Sequence, residues 1–596
     1  MLSKVRKITP LLRSLLLGVA AVSTVSVTSA VVVGCENDKQ PEYHIKRLNE
    51  PAVRPQAIKR LVQFFEDAMS RADKNRDDKV VQELLDKIIP PMTKLYLETP
   101  DMDSRSRTDL VNLLADSRDM RAKPAWIKAI KDYRPNQTEF DLRSAAKAIA
   151  ETKVQDPEAM DGLIAAFVKL RASSVKGGEI YLDFKKSMVD ISSPTWTPQL
   201  LERLNRPMTI PTGNDRKDED KVSEYKDEIY WQNTAAEILG IVKSPDAVKP
   251  LFQVVVDPNK GDVAAMAVMA MVKIGKHSMN ALIDALAGTD EALNAFAKEK
   301  IKDEKAAVIA PTRSAALVIG TVGRSDGIQP LMIALEKYDK AESIKDREER
   351  KSALETKAIL ARELTKCPPS PESLAAFTKV FQSMPPEAGI PPGDIAISAL
   401  ADAYTRFYDP AIIDILIRRV ETFKGDKEDR DMVRDSVIPT MIKLMLPQHV
   451  KTVDDAIAKW APGKDEAKVE KEALGRAKKL LEACGEKIEC YIAKMEEPAV
   501  QEKEEQFYGI KAAYMVAMLG NEKTRMDIVA VLPKIKNAAI KFAAGQALEF
   551  LTPNGDQAVA DEIEKQLEAN IKKGDQNLIA GDSAIRQIRL RILARL

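Results

Sequence analysis

A chain of 596 residues exceeds what one globular core supports, so several domains or a repeat array are expected. Charged residues make up 30% and nearly cancel, 91 basic against 90 acidic, which leaves no electrostatic case for nucleic acid or anionic lipid as a partner. Aromatics are 5%, and the apolar content is mostly Ala, Leu, Ile, Val and Met, a mix that favours helices over strands.

The opening stretch MLSKVRKITPLLR carries Lys4, Arg6, Lys7 and Arg13 and no acidic residue, and Leu15 to Gly34 carries no charge. A basic start, an apolar run and a small residue before a cut describe an export signal over residues 1–34. The run ends in AVVVGCENDK and turns charged directly after Cys35. Val32-Val33-Gly34-Cys35 resembles the lipobox of bacterial lipoproteins. That resemblance implies cleavage between Gly34 and Cys35, with a palmitate-type lipid on Cys35 as the new N-terminus. Twenty uncharged residues also suffice to span a bilayer uncleaved, so an inner-membrane anchor stays open as the alternative. Either way the basic start remains cytoplasmic and the body lies beyond the inner membrane. Glu36 stands where aspartate typically goes with inner-membrane retention in the lipoprotein family, which implies the outer membrane, facing the periplasm. Without residues 1–34 the charges are 87 basic against 90 acidic, a balance of −3. Residues 35–50, with the tract ENDKQPEYH, read as a polar tether, and no later apolar run is sustained.

From residue 51 to 596 the chain reads as one helical array. EPAVRPQAIKRLVQFF opens it near Pro51, and SAAKAIAETKVQDPEAM offers Ala145-Ala146 and Asp156. AAEILGIVKSPDAVKPL from Ala235 and AALVIGTVGRSDGIQPL from Ala315 align without a gap. Ala235-Ala236 matches Ala315-Ala316, Gly240 matches Gly320, Asp246 matches Asp326, and Pro250-Leu251 matches Pro330-Leu331. Gly275 marks a copy between them, 35 residues after Gly240 and 45 before Gly320, and such periods signal stacked helix pairs. Small residues let neighbouring first helices approach, a glycine is expected to end each in a left-handed cap, and Asp246 and Asp326 are expected to cap the second helices. Further on, Ile412, Ile413, Leu416, Ile417 and Val420 fall on one helical face, and Gly520 marks another copy. This pattern resembles the HEAT repeat, clearest over 230–335 and irregular over 420–500. The fold class is therefore read as all-α, an α-solenoid of HEAT-like helix-pair repeats, and the resemblance implies a protein-binding scaffold. The polar interruptions from Arg206 (RPMTIPTGNDRKDEDKVSEYKDE) and Phe296 (FAKEKIKDEKAAVIAP), and at 383–394 and 423–431, read as loops on one edge of the array.

Sites of chemistry are scarce. Asp73, Asn75 and Asp77 have the opening spacing of a calcium loop, but Asp78 and Leu84 occupy the positions that need glycine and glutamate, so a solvated helix start is expected and no metal is assigned. Cys484 and Cys490 flank a turn at Gly485, with a new helix near Ile488. In an oxidising compartment they can form a disulfide, two buried thiols being the alternative. Cys367 reads as a buried apolar filler. His44, His277 and His449 pair with no nucleophile, and no phosphate-binding glycine loop occurs. Some HEAT-like bacterial proteins act with lyases on bilin chromophores, but no residue here carries that chemistry. No catalytic residue, cofactor or small-molecule substrate is assigned. The expectation is a non-catalytic, membrane-anchored envelope scaffold with a protein partner, or else an assembly or accessory factor of an envelope complex.

Overall fold

A computed structural model describes residues 38–596, except 173–177, 392, 464–466, 503–504 and 574–575. Gly34, Cys35 and the whole signal-like segment lie outside the described residues. The chain divides into two compact units, the first ending at Leu95 and the second running Tyr96–Leu596.

The first unit holds α1 (Pro41–Arg47), α2 (Arg54–Arg71) and most of α3 (Lys79–Glu98). On α2, Ile58, Leu61, Phe65 and Ala68 recur at the spacing of one helical face and are all buried. On α3, Val81, Leu85, Ile88, Ile89 and Met92 do the same. Within the stretch read as a tether, residues 41–47 are helical, and His44 is buried against Phe64 with its Nε2 2.8 Å from the Asp38 carbonyl.

The second unit opens with α4 (Ser104–Ser117), α5 (Lys123–Lys131), α6 (Glu139–Glu151), α7 (Pro157–Lys169), α8 (Gly178–Ile191) and α9 (Thr197–Leu204). There follow α10 (Glu219–Ile241), α11 (Val248–Val256), α12 (Gly261–Ile274), α13 (Lys276–Ala287), α14 (Glu291–Lys300), α15 (Glu304–Val322), α16 (Ile328–Glu336), α17 (Arg347–Leu364) and α18 (Pro371–Ser383). A two-stranded antiparallel hairpin, Gly389–Ile390 with Asp394–Ile395, begins inside the stretch read as a loop at 383–394 and ends one residue past it. The chain continues through α19 (Ala396–Ala403), α20 (Ile412–Thr422), α21 (Lys427–Leu444), α22 (Val450–Trp460), α23 (Lys468–Cys484), α24 (Ile488–Glu496), α25 (Gln506–Leu519), α26 (Thr524–Val531), α27 (Ala538–Phe550), α28 (Gln557–Lys573), α29 (Gln576–Ile579) and α30 (Asp582–Ala594).

Helices pack on the helix after next: α4 on α6, α6 on α8, α10 on α12, then α13 on α15, α15 on α17, α17 on α19, α19 on α21, α21 on α23, α23 on α25 and α25 on α27, while α27 packs on α30. This is an all-α solenoid of helix pairs. The alanine pairs sit where the alignment put them: Ala145, Ala146, Ala235, Ala236, Ala315 and Ala316 have no exposed surface.

Gly240 and Gly320 do not end their helices. They lie within the last turn of α10 and α15, where a Cβ on Gly240 would come 2.7 Å from the Ala270 Cα, and one on Gly320 2.9 Å from the Glu363 carbonyl oxygen. Their role is close helix approach, and the positive-φ residues come three positions later, at Lys243 and Gly323. Gly275 does end α12 at positive φ. Asp156 caps α7 by accepting from the Glu158 N–H at 3.0 Å, whereas the side chains of Asp246 and Asp326 cap nothing, and Asp326 instead accepts from Arg324.

Basic side chains finish many helices. Lys260 donates to the Leu204 carbonyl at the end of α9 (2.6 Å), Lys337 to Ala287 at the end of α13 (2.8 Å), and Arg419 to Met384 after α18 (2.6 Å). Lys511, with no exposed surface, donates to the carbonyls of Lys443 (2.8 Å) and Met445 (2.6 Å), which close α21. A cation aimed at unpaired carbonyls satisfies them and complements the negative end of the helix dipole. Helix α15 is long and apolar enough to cross a membrane, but it carries Pro311 and Arg313 and packs between α13 and α17.

Candidate functional site

The second unit turns back on itself. Helix α30 packs against α27 and α28, its neighbours in sequence, and also against α12 and α15, far earlier in the chain. Arg595 donates from Nε to the Gly323 carbonyl (2.9 Å), from Nη1 to the carbonyls of Glu549 (2.8 Å) and Thr552 (3.1 Å), and from Nη2 to Glu549 Oε1 (2.7 Å). Arg591 donates to Glu549 Oε1 (2.8 Å) and to the Lys366 carbonyl (2.7 Å), and Arg324 donates to the Ala594 carbonyl.

Cations outnumber carboxylates here, yet the excess has a partner. The carbonyls they meet belong to the C-terminal ends of α15, α17, α27 and α30, so four negative dipole ends converge on three arginines. Burial opposes the charge on Glu549, but Arg591, Arg595 and Arg406 together hold its carboxyl below the ordinary range. Cys367 lines a cavity of about 30 Å³ beside Arg406, Tyr408, Glu549 and Arg595, room for about two waters. The thiol is buried and free, as a filler would be, and burial pushes it up to about 12 and keeps it protonated. This seam is a lock, with a buried, protonated thiol beside it.

A second feature is open. Helix α15 presents Lys305, Val308 and Ile309, and α17 presents Glu349, Ser352, Ala353 and Thr356, each set at the spacing of one helical face. The turn after α16 adds Lys337, Tyr338, Lys340, Ala341 and Ile344, and together they line a groove of about 620 Å³. Arg313 fixes its width by reaching from α15 to Thr356 Oγ1 (2.9 Å), the Ser352 carbonyl (2.8 Å) and Glu355 (3.2 Å). Asp346 fixes the start of α17 by accepting from the Glu349 N–H at 2.8 Å. Val308 is 62% exposed on the wall of the groove.

The residues singled out by sequence do not gather into one site. Cys484 and Cys490 are joined in a disulfide with Cα atoms 5.5 Å apart, across the Gly485 turn between α23 and α24. Asn75 and Asp78 accept backbone N–H groups in the turn before α3. His277 lies in the first turn of α13, and His449 Nδ1 accepts from the Leu446 N–H. Among the described residues no group of three or more His, Cys, Asp or Glu could hold a metal ion. The seam was missed because its partners are some 270 residues apart; the only local sign is the arginine-rich ending RQIRLRILAR. The groove was half visible, since the interruption from Phe296 contains its α15 wall.

No family model and no curated protein matches the chain. Solved structures with some likeness include one on a phosphorylation switch that controls the interaction between cadherin and beta-catenin (11% identity, 90% of this chain, 99% of that chain, TM-score 0.25). Others are a SYS-1/POP-1 complex (12%, 91% and 98%, TM-score 0.23) and an engineered protein (15%, 85% and 98%, TM-score 0.18). The class assigned here, an all-α solenoid, rests on the helix packing described above.

Proposed function

We propose that this protein is a lipid-anchored envelope scaffold that binds another protein and performs no catalysis. The observation that carries binding is the groove between α15 and α17, whose apolar wall stays exposed while its walls are held in place from beneath. Anchoring is supported by the basic start, the apolar run and the Val32–Cys35 tetrapeptide, with the lipid on Cys35 and the body facing the periplasm from the outer membrane.

Two measurements test the reading. Cys35→Ala should abolish fatty-acid labelling and leave an unprocessed form in membrane fractions; labelling that persists would refute the lipid site. Crosslinking in the protein's own cells, followed by recovery of the intact chain, should bring one partner in constant proportion. Recovery of the chain alone would count against a scaffold.

A further inference from the structure

Resting on that scaffold reading, we infer that the groove between α15 and α17 receives an acidic amphipathic segment of the partner protein. Its apolar side chains would enter between the two helices, and its carboxylates would meet the lysines at the rim.

Charge and surface argue for this occupant. The lining carries three lysines, Lys305, Lys337 and Lys340, against one carboxylate, Glu349. The body as a whole is slightly acidic, so the local excess of cations belongs to the groove and not to the molecule at large. The Lys337 ammonium donates to the Ala287 carbonyl at the end of α13 (2.8 Å), so Lys305 and Lys340 are the lysines free of that tie. Between the lysines the lining is mostly apolar (Val308, Ile309, Tyr338, Ala341, Ile344 and Ala353), with the hydroxyls of Ser352 and Thr356 on the α17 side. An exposed apolar strip with a polar rim marks an interaction surface, and a helix laid in a groove reads such a strip with residues at i, i+3, i+4 and i+7. A basic segment would be repelled by the rim, and a wholly polar one would leave the apolar strip wet. The Arg313 ties and the Asp346 cap hold the groove open in advance, so little ordering is needed on binding.

The test uses the full-length protein in detergent and a fluorescent peptide of about 16 residues, roughly four helical turns. The peptide has leucines at helical spacing and glutamates elsewhere. A twin carries lysine for glutamate, and a scrambled twin keeps composition but loses the spacing. Anisotropy should show the acidic amphipathic peptide binding at least about ten-fold more tightly than either twin. Binding should weaken with added salt. Val308→Asp, and separately the pair Lys305→Glu with Lys340→Glu, should each reduce it by about ten-fold or more at unchanged helicity and melting temperature. Equal binding of the basic twin, absence of binding by the acidic peptide, or variants that bind as the parent does would each overturn the inference. Self-association that Val308→Asp abolishes would assign the groove to a second copy and likewise overturn it. Crosslinked recovery separates the two levels: a partner retained by Val308→Asp removes the groove from the account and leaves the scaffold standing, whereas no partner in either protein removes the scaffold itself.

Discussion

Glycine within a helix ordinarily costs about 1 kcal/mol relative to alanine, so Gly→Ala inside a helix should stabilise. At Gly320 the sign inverts, because the new Cβ would meet Glu363 Oε2, Cβ and carbonyl oxygen at 2.5, 2.8 and 2.9 Å. Gly320→Ala is expected to lower stability by about 1–3 kcal/mol, the usual range for overpacking. Gly475, within α23 with nothing within 4 Å of its would-be Cβ, is the control, and Gly475→Ala should gain up to about 1 kcal/mol. Urea melts of both variants decide the matter, and two changes of the same sign would refute the close-approach role. A second residue-scale test concerns Lys260, which burial pulls down to about 8 while its ammonium donates to Leu204. Its folded value lies below the unfolded one of about 10.4, so between those limits the unfolded chain binds more protons and stability rises with pH. Relative to Lys260→Met, the parent should gain stability from about pH 8 to about pH 10, by at most about 3 kcal/mol. A difference that stays flat with pH would show that the folded protein keeps this lysine's ordinary affinity for protons.

At the scale of the element, the long interruptions turned out shorter than the sequence reading made them. Asp218, Asp303 and Asp426 each accept backbone N–H groups and begin α10, α15 and α21 inside stretches read as loops. The reason is physical. Acidic and polar residues in the first turn of a helix look like loop composition, but they complement its positive end. The capping aspartate, with an acidic residue one or two positions later (Glu219, Glu304, Glu428), was the available signal. Asp218→Ala is expected to cost about 1 kcal/mol and to fray the first turn of α10, measured by thermal melts and by amide exchange at residues 219–222. Protection unchanged at those amides would remove the cap from the account. The alanine pairs and the turn at Gly485 were legible because each is a local pattern with one physical reading. The caps expected at Gly240 and Gly320 were misplaced by three residues, unlike that at Gly275, because a helix glycine serves close packing and termination alike, and composition does not distinguish them. For Cys484 and Cys490, unreduced peptide mapping of protein from the envelope should return the linked pair, and the short loop limits its contribution to about 3 kcal/mol or less.

For the second unit as a whole, the seam at α30 changes the energetics. In an open solenoid each repeat touches only its neighbours, and stability is a sum of local terms. Here Arg591 and Arg595 join residues near 323, 366 and 549 into one network. Glu549→Gln would leave two buried guanidinium groups without their shared carboxylate, and a loss of about 3–5 kcal/mol is expected. The loss should appear in one cooperative transition across α12–α30, followed by exchange at amides of both α15 and α27. Destabilisation confined to α27 would show that the seam does not couple the array. Nothing local in the sequence announces such coupling, since its two sides are separated by most of the unit.

That closure bears on how relatives of this chain could vary in length. An open stack can gain or lose a helix pair by duplication or deletion, because the ends simply move apart. A stack whose α30 end must deliver one arginine to the end of α15 and another to the end of α17 has a fixed number of steps between them. Insertions should therefore collect in the hairpin at 389–395 and the segment around 206–218, while the count of helix pairs from α12 to α30 stays frozen.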